Sequence, residues 1–117
     1  MATSESYQRI IQSFQKRKIG LIGDIVADRF VYGVPARLSR EAPVLIIEYE
    51  GEELFPGCAG NTIRNLEDLG AIVYPVSVLG DDQWGQKLLQ IFQKGRVVTD
   101  FIYLVPDQRT VTKTRFM

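Results

Sequence analysis

The 117-residue chain has no histidine and only one cysteine, Cys58. A single cysteine rules out a disulfide within the chain, and the lack of histidine rules out Cys/His zinc sites and histidine-based catalytic triads. A catalytic thiol is not expected either, because no histidine is present to act as its base. One free thiol fits a reducing compartment, so the expected location is cytoplasmic.

Neither sign of charge is in excess, since 14 basic residues balance 14 acidic ones. Charge therefore gives no reason to expect nucleic acid or an anionic membrane as a partner. No apolar run approaches the roughly 20 residues of a membrane span, and the N-terminus lacks the apolar core of a secretory signal. A hydrophobic content of 45% and a charged content of 24% are typical of one soluble globular domain, or part of one.

Two common nucleotide-binding motifs are also missing. The chain contains no Gly-x-x-x-x-Gly-Lys-[Ser/Thr], and its first strand-like run is followed by one glycine rather than Gly-x-Gly-x-x-Gly. A dinucleotide-binding oxidoreductase is therefore the weakest of the function classes that an α/β sequence suggests.

The hydrophobic pattern predicts alternating helices and strands. The expected order is a helix from residue 4, a strand over 19–22, a small β excursion over 31–55, a helix over 61–69, a strand over 72–78, a helix capped by Asp81 or Asp82, and strands over 101–105 and 109–116. Strands that alternate with helices indicate an α/β fold with a parallel sheet and right-handed crossovers.

Several local features follow from composition. The first helix is expected to lay an apolar stripe on the core, formed by Tyr7, Ile10, Ile11 and Phe14. The strand over 19–22 is expected to be covered on both faces. Pro75 predicts an edge position or a bulge for its strand. The acidic residues at 50–53 predict a turn, and residues 106–108 predict a type I turn.

Two glycine-containing loops, at 23–28 and 56–61, follow strand-like runs. Glycine lets backbone N–H groups approach a ligand closely, and a neighbouring Asp or Asn can bond hydroxyl groups. The two loops thus predict that Asp28 and Asn61 converge on one polyhydroxylated small molecule. Purely structural roles remain open: an aspartate after a strand is often a turn former, and Asn61 could be the N-cap of its helix.

The ordered motifs of residues 17–116 resemble the ribokinase (PfkB-type) family of carbohydrate kinases, and most closely the kinase domain of heptose-7-phosphate kinases. The motifs are Gly-Asp-x-x-x-Asp-Arg-Phe-x-Tyr-Gly at 23–33, Arg-x-Ser-x-Glu-Ala-Pro-Val at 37–44, Pro-Gly-x-Ala-Gly-Asn at 56–61, Leu-Gly-Ala at 69–71, Leu-Gly-Asp-Asp-x-x-Gly at 79–85 and Thr-Val-Thr-Lys-Thr-Arg at 110–115. The fold that this resemblance implies is a ribokinase-like, Rossmann-type parallel sheet with helices and a small β lid.

The resemblance implies ATP-dependent transfer of phosphate to a sugar or sugar phosphate. The implied substrate-binding residues are Asp28, Gly57, Cys58, Asn61, Asp24, Lys113 and Arg115. Among them, Asp28 would bind sugar hydroxyls, and Lys113 and Arg115 could meet an anionic substituent or simply form a solvated strand edge. Cys58 departs from the family, which usually has a second glycine there.

The resemblance also implies a lid over residues 31–55 that pairs two subunits, and therefore a homodimer. It implies ATP and Mg²⁺ as cofactors, but the Gly-Ala-Gly-Asp loop that supplies the base and the anion hole does not occur in this sequence. Residues 1–117 are accordingly expected to be the N-terminal, substrate-binding part of one truncated kinase domain, not catalytically competent alone. The alternative is a non-catalytic remnant that only binds or dimerises.

Overall fold

The computed structural model describes Met1 and residues 3–117. Its elements are α1 (Ser4–Gln12), β1 (Lys18–Ile22), β2 (Ile25–Leu38), β3 (Leu45–Cys58), α2 (Ala59–Asp68), β4 (Ile72–Gly80), α3 (Gln83–Gln93), a 3₁₀ turn (Thr99–Phe101), β5 (Ile102–Val105) and β6 (Thr112–Phe116).

The strands form two three-stranded sheets. The first has the order β1-β4-β5, and all its strands are parallel. The second has the order β3-β2-β6, in which β2 and β3 form a long antiparallel hairpin and β6 runs parallel to β2. The α/β fold with parallel crossovers predicted from the sequence is therefore confirmed.

The hydrophobic core lies between the two sheets and the helices α2 and α3. Its buried residues are Ile25, Ala27, Ile63, Val73, Leu79, Leu88, Phe92, Val97 and Ile102. Only one face of the first sheet is covered, since Val73 is fully buried whereas Val76 and Val78 are exposed. The expectation that β1 is covered on both faces is therefore wrong, and Ile22 at its end is 85% exposed.

Helix α1 begins where the sequence predicts, because the Thr3 hydroxyl accepts a hydrogen bond from the Ser6 N–H. Its predicted packing is wrong: α1 has no buried residue, and Ile10 and Ile11 are each 53% exposed. An amphipathic pattern predicts that a helix has an apolar face, but it does not predict which element covers that face.

The β excursion is larger than predicted. Strands β2 and β3 each have 14 residues, and the connection lies at 39–44 rather than at the acidic run. Two of the glutamates have side-chain partners on β2: Arg29 forms an ion pair with Glu52, and the Tyr32 hydroxyl donates to Glu53. The predicted acidic turn is therefore wrong.

Pro75 lies in the central strand of its sheet, so the predicted edge position is wrong. Along β4, the N–H groups of Val73 and Asp81 point towards β5 and the segment before it. Pro75 is two residues after Val73, so its nitrogen points to the same side of β4. On that side it lies between the Val73–Val97 bridge and the Ser77–Ile102 pair. The chain leaves the sheet there as the 3₁₀ turn, so no ladder hydrogen bond is lost.

The turn between β5 and β6 also differs from the prediction. Asp107 has a φ of 61°, whereas both central residues of a type I turn have negative φ. A positive φ at this third position is the feature of a type II turn, and aspartate is one of the few non-glycine residues that tolerate it.

Candidate functional site

Asp28 lies inside strand β2, not in a loop as the sequence suggested. Its cross-strand partners are Phe55 of β3 and Lys113 of β6. Side chains at paired positions share one face of a sheet, and those one residue away occupy the other. Because Ala27 is fully buried in the core, Asp28 belongs to the opposite, open face of the second sheet.

A cation neutralises Asp28 on this open face. Arg115 Nη1 donates to Asp28 Oδ1 at 3.0 Å, and both side chains are partly exposed. The guanidinium of Arg115 also lies 4.9 Å from the ring centroid of Phe30, which meets Phe55 edge-on at 5.7 Å. The pair and the two rings form a platform that is charged at one end and apolar at the other.

Gly57 lies directly beneath the Asp28 carboxylate. A Cβ at position 57 would come within 2.6 Å of Asp28 Oδ2, closer than such atoms approach in proteins. Gly57 is itself buried, so its backbone forms the floor of the site. A side chain at position 57 would therefore displace the Asp28 carboxylate, which glycine leaves in place.

Lys113 shares the face of Arg115, since alternate residues of β6 point the same way. Unlike Arg115, it is exposed and has no ion-pair partner among Met1 and residues 3–117. The two cations that the sequence treated alike therefore differ. The charge of Arg115 is taken up by Asp28, whereas that of Lys113 is available to a ligand.

Four residues of the open face were missed from the sequence: Phe30, Tyr32, Glu53 and Phe55. The Tyr32 hydroxyl donates to Glu53 Oε2 at 2.7 Å, and this hydrogen bond raises the pKa of Tyr32 above its ordinary value. A signal was present, because Asp28, Phe30 and Tyr32 follow the two-residue period of a strand. The glycine at position 23 suggests that the stretch is a loop, and the two-residue period does not apply to loops.

Cys58 and Asn61 stand where β3 passes into α2. The helix begins at Ala59, and Cys58 is its N-cap residue, without a side-chain cap. Asn61 is therefore not the N-cap; it lies exposed in the first turn. Cys58 has φ 52° and ψ −122°, a backbone conformation that favours glycine, and its backbone carries the strain of a side chain at this turn.

Asp24 lies in a neighbouring cleft rather than on the face of Asp28. The cleft has a volume of about 310 Å³, and its lining includes Asp24, Val26, Cys58, Gly80 and Arg109. Val26 is two residues before Asp28 and pairs with Gly57, so the cleft adjoins the open face. The structure thus places Asp28, Gly57, Lys113 and Arg115 together, with Asp24 and Cys58 in the adjoining cleft.

Two further features bear on the site. Within the described part of the chain, no three His, Cys, Asp or Glu side chains are grouped so as to hold a metal ion. In the same residues, no helix has the length and apolar character needed to cross a membrane.

Residues 16–117 match the family model described as the pfkB family carbohydrate kinase. The bifunctional protein HldE of Pelobacter propionicus is 40% identical over 111 residues, which are 95% of this chain and 23% of that protein. HldE of Rhodospirillum rubrum is 34% identical over 116 residues, again covering 23% of that protein. The chain thus spans less than a quarter of the length of these relatives.

Solved structures show the same fold. A carbohydrate kinase from Agrobacterium tumefaciens superposes with a TM-score of 0.66 and 22% identity, over 86% of this chain and 31% of that one. The ribokinase of Arabidopsis thaliana, complexed with ribose and ATP, also gives a TM-score of 0.66, with 19% identity over 87% of this chain and 32% of that one. The ribokinase-like fold and the family indicated by the ordered motifs are thus confirmed: the chain belongs to the pfkB family of carbohydrate kinases.

Proposed function

We propose that this chain is the substrate-binding half of an ATP-dependent carbohydrate kinase. The observation that supports this most directly is the Asp28 carboxylate, held by Arg115 directly over the backbone of Gly57 on an open sheet face. The chain covers about a third of the length of the kinase structures it resembles.

Asp28 can bind a polyol because an ionised carboxylate only accepts hydrogen bonds, and sugar hydroxyls donate them. Oδ1 is bonded to Arg115, which leaves the remaining lone pairs of the carboxylate for two adjacent hydroxyls. The rings of Phe30 and Phe55 offer apolar surface to the C–H face of a sugar. Each charge-assisted hydrogen bond contributes about 1.5–3 kcal/mol when water is excluded.

The substrate class that this face favours is a sugar phosphate, with heptose phosphates as the nearest model. Lys113 presents an exposed ammonium on the face of Asp28, with its charge not paired within the described residues. An ammonium is a compact point charge suited to a phosphate group. Asn61, Cys58 and Asp24 complete the proposed wall from the α2 turn and the adjoining cleft.

The family implies nucleotide use, and the Arabidopsis thaliana neighbour is complexed with ATP. ATP supplies the transferable phosphoryl group in such kinases, with Mg²⁺ to offset its charge. No step of phosphoryl transfer is assigned to the described residues. Their role in the proposal is to bind and orient the sugar.

The outer hairpin supports a second role, in which residues 31–55 cover the sugar and pair two copies of the chain. Leu38, Leu45 and Tyr49 are each more than half exposed near its tip. Exposed apolar residues at the end of a projecting hairpin are suited to burial against another chain. The same observation supports the alternative of a remnant that only dimerises.

Calorimetric titration with a heptose 7-phosphate, its dephosphorylated heptose and ribose tests the proposal. Saturable binding that favours the phosphorylated sugar supports a substrate-binding half. A stable dimer in sedimentation, without any sugar binding, supports the dimerising remnant instead. Phosphate transfer from ATP by the 117 residues alone would overturn the assignment of the chain as a half-site.

A further inference from the structure

Asp82 lies outside the proposed sugar site but is connected to the strand that completes it. Its carboxylate accepts four hydrogen bonds. Oδ1 accepts from the N–H of Trp84 at 3.1 Å, the N–H of Gly85 at 2.8 Å and the hydroxyl of Thr110 at 2.7 Å. Oδ2 accepts from the N–H of Thr110 at 2.8 Å. Only the first two of these bonds belong to the helix cap of α3.

Thr110 is fixed tightly at this junction. Its hydroxyl accepts from the Gly80 N–H at 3.1 Å, and the residue is only 6% exposed. A Cβ at Gly80 would lie 2.4 Å from the Thr110 nitrogen, and one at Gly85 would lie 2.9 Å from its hydroxyl oxygen. The end of β4, the start of α3 and Thr110 therefore meet without spare volume.

The segment after Thr110 enters the second sheet at once. The Ala27 N–H donates to the Val111 carbonyl at 2.8 Å, and the register then pairs Thr112 with Ala27 and Lys113 with Asp28. Side chains alternate between faces every residue, so a slip of one position would turn Lys113 and Arg115 away from Asp28. The position of Thr110 thus decides which side chains of β6 reach the open face.

We propose that Asp82 is a positioning residue for the candidate sugar site: by holding Thr110 through Oδ2 and Oδ1, it sets the register of β6 beside β2. It thereby places Arg115 on Asp28 and Lys113 next to it, although it contacts neither. That this placement of Arg115 and Lys113 serves sugar binding rests on the proposed function. The register itself does not depend on that function.

The pairing of β6 with β2 begins directly after this junction. Within the described residues, the β6 segment Thr112–Phe116 pairs with β2 from Ala27 to Val31. A carboxylate that joins the residue two positions before this segment to the start of α3 therefore constrains where the pairing begins.

The decisive variant is Asp82→Asn. Asparagine caps helices about as well as aspartate, so the bonds at Oδ1 can remain. Its amide nitrogen cannot accept from the Thr110 N–H, so the Oδ2 bond is lost and two donors face each other, although the Thr110 hydroxyl can still donate to Oδ1. Asp81→Asn is the matched control, because it removes the same charge one residue earlier, where the Asp81 side chain bonds only the exposed Gln86 amide among the described residues.

Amide hydrogen exchange on the whole chain provides the readout. In Asp82→Asn we expect the β6 amides that bond to β2 to exchange faster by about tenfold, while those of α3 stay within about threefold of the parent. Amides of β1, on the far edge of the first sheet, serve as the reference for global stability.

Three results in Asp82→Asn would overturn the proposal. They are an unchanged exchange rate of the β6 amides, a loss of amide protection confined to the first turn of α3, or a uniform loss of amide protection that includes β1. A titration with heptose 7-phosphate separates the proposal from the proposed function. If β6 loses protection but binding of the sugar phosphate is unchanged, the positioning of β6 stands and its place in a sugar site falls.

Discussion

Arg115 donates from Nη1 to Oδ1 of Asp28 across 3.0 Å, although 87 residues separate them in the chain. This contact gives the two residues distinct tasks. Arg115 orients the carboxylate and offsets its charge, and Asp28 presents its remaining oxygen lone pairs to a ligand. Substitutions at this pair, and at the residues that support it, should therefore have separable effects on binding and on stability.

Asp28→Ala should lower sugar-phosphate affinity roughly tenfold to a hundredfold, because charge-assisted hydrogen bonds to hydroxyls are lost. Stability should fall by no more than about 1 kcal/mol, since the Asp28–Arg115 pair is partly exposed and solvent weakens it. Calorimetry and thermal melting measure the two effects. Asp100→Ala, at an exposed position, is the control. Equal affinity with a large stability loss would show that Asp28 is structural.

Lys113→Gln should weaken binding of a phosphorylated sugar and leave the neutral sugar unaffected, because the ammonium meets only the anionic group. Arg115→Gln should weaken both, because Asp28 loses the partner that orients it. Paired titrations with the phosphorylated and dephosphorylated sugar check this. Lys94→Gln, at an exposed position next to the end of α3, is the control. Identical profiles for the first two variants would contradict the division of roles.

Gly57→Ala should displace the Asp28 carboxylate, because the added Cβ would lie 2.6 Å from Oδ2. We expect at least a tenfold loss of sugar affinity, roughly the contribution of one charge-assisted hydrogen bond. Gly51→Ala is the matched control in the same strand, since its Cβ meets no atom within 4 Å. Similar affinities for the two alanine variants would place Gly57 outside the site.

Cys58→Gly should stabilise the chain. A side chain at φ 52° and ψ −122° stores about 1–3 kcal/mol of strain, whereas the greater freedom of glycine in the unfolded chain costs about 0.4–1 kcal/mol. Because the relief of strain exceeds this entropic cost, we expect a net gain of about 1 kcal/mol in urea unfolding. Cys58→Ala keeps the strain and should show no such gain. A less stable glycine variant would refute the argument.

The pH dependence of stability should carry a contribution from Asp82. Desolvation raises the pKa of Asp82, but hydrogen bonds from Gly85, Thr110 and Trp84 together lower it below the ordinary value of 3.8. A depressed folded-state pKa means that the stabilisation is complete above the unfolded-state pKa and is lost as the pH falls through the folded-state pKa.

Urea unfolding between about pH 2 and pH 6 measures this loss. Asp82→Asn should remove the part of the acid sensitivity that Asp82 causes, whereas Asp81→Asn should keep it. The charged neighbours are Asp81, which precedes Asp82 in the chain, and Arg109, which lines the same cleft as Asp82. If the free energy of unfolding of Asp82→Asn falls with acid as steeply as that of the parent, the hydrogen bonds to Asp82 do not stabilise the fold.

Local patterns predicted the elements and their order because they depend on residues close together in the chain. The helix–strand alternation follows from the sequence, as does a cap at Asp81 or Asp82, of which the structure has Asp82. Ordered motifs also indicated the family, which the match of residues 16–117 confirms. The predicted meeting of Asp28 and Asn61 stays a prediction.

Distant pairing could not be predicted in the same way. Nothing in the local pattern shows that β6 leaves β5 and joins β2, which places Arg115 on Asp28. Pro75 predicts an edge position or a bulge because proline has no N–H to donate to a neighbouring strand. The 3₁₀ turn that leaves this position without a partner lies more than twenty residues later, so the local pattern does not reveal it. The exposed stripe of α1 likewise depends on what packs against it.

The sequence by itself determined the α/β class through its local patterns, and its ordered motifs indicated the carbohydrate kinase family. Tertiary structure alone decided that Asp28, Gly57, Lys113 and Arg115 share one face, and that one cation is paired while the other is open to a ligand. The physical reason is that side-chain direction in a sheet depends on register, and register is fixed by contacts between residues far apart in the chain.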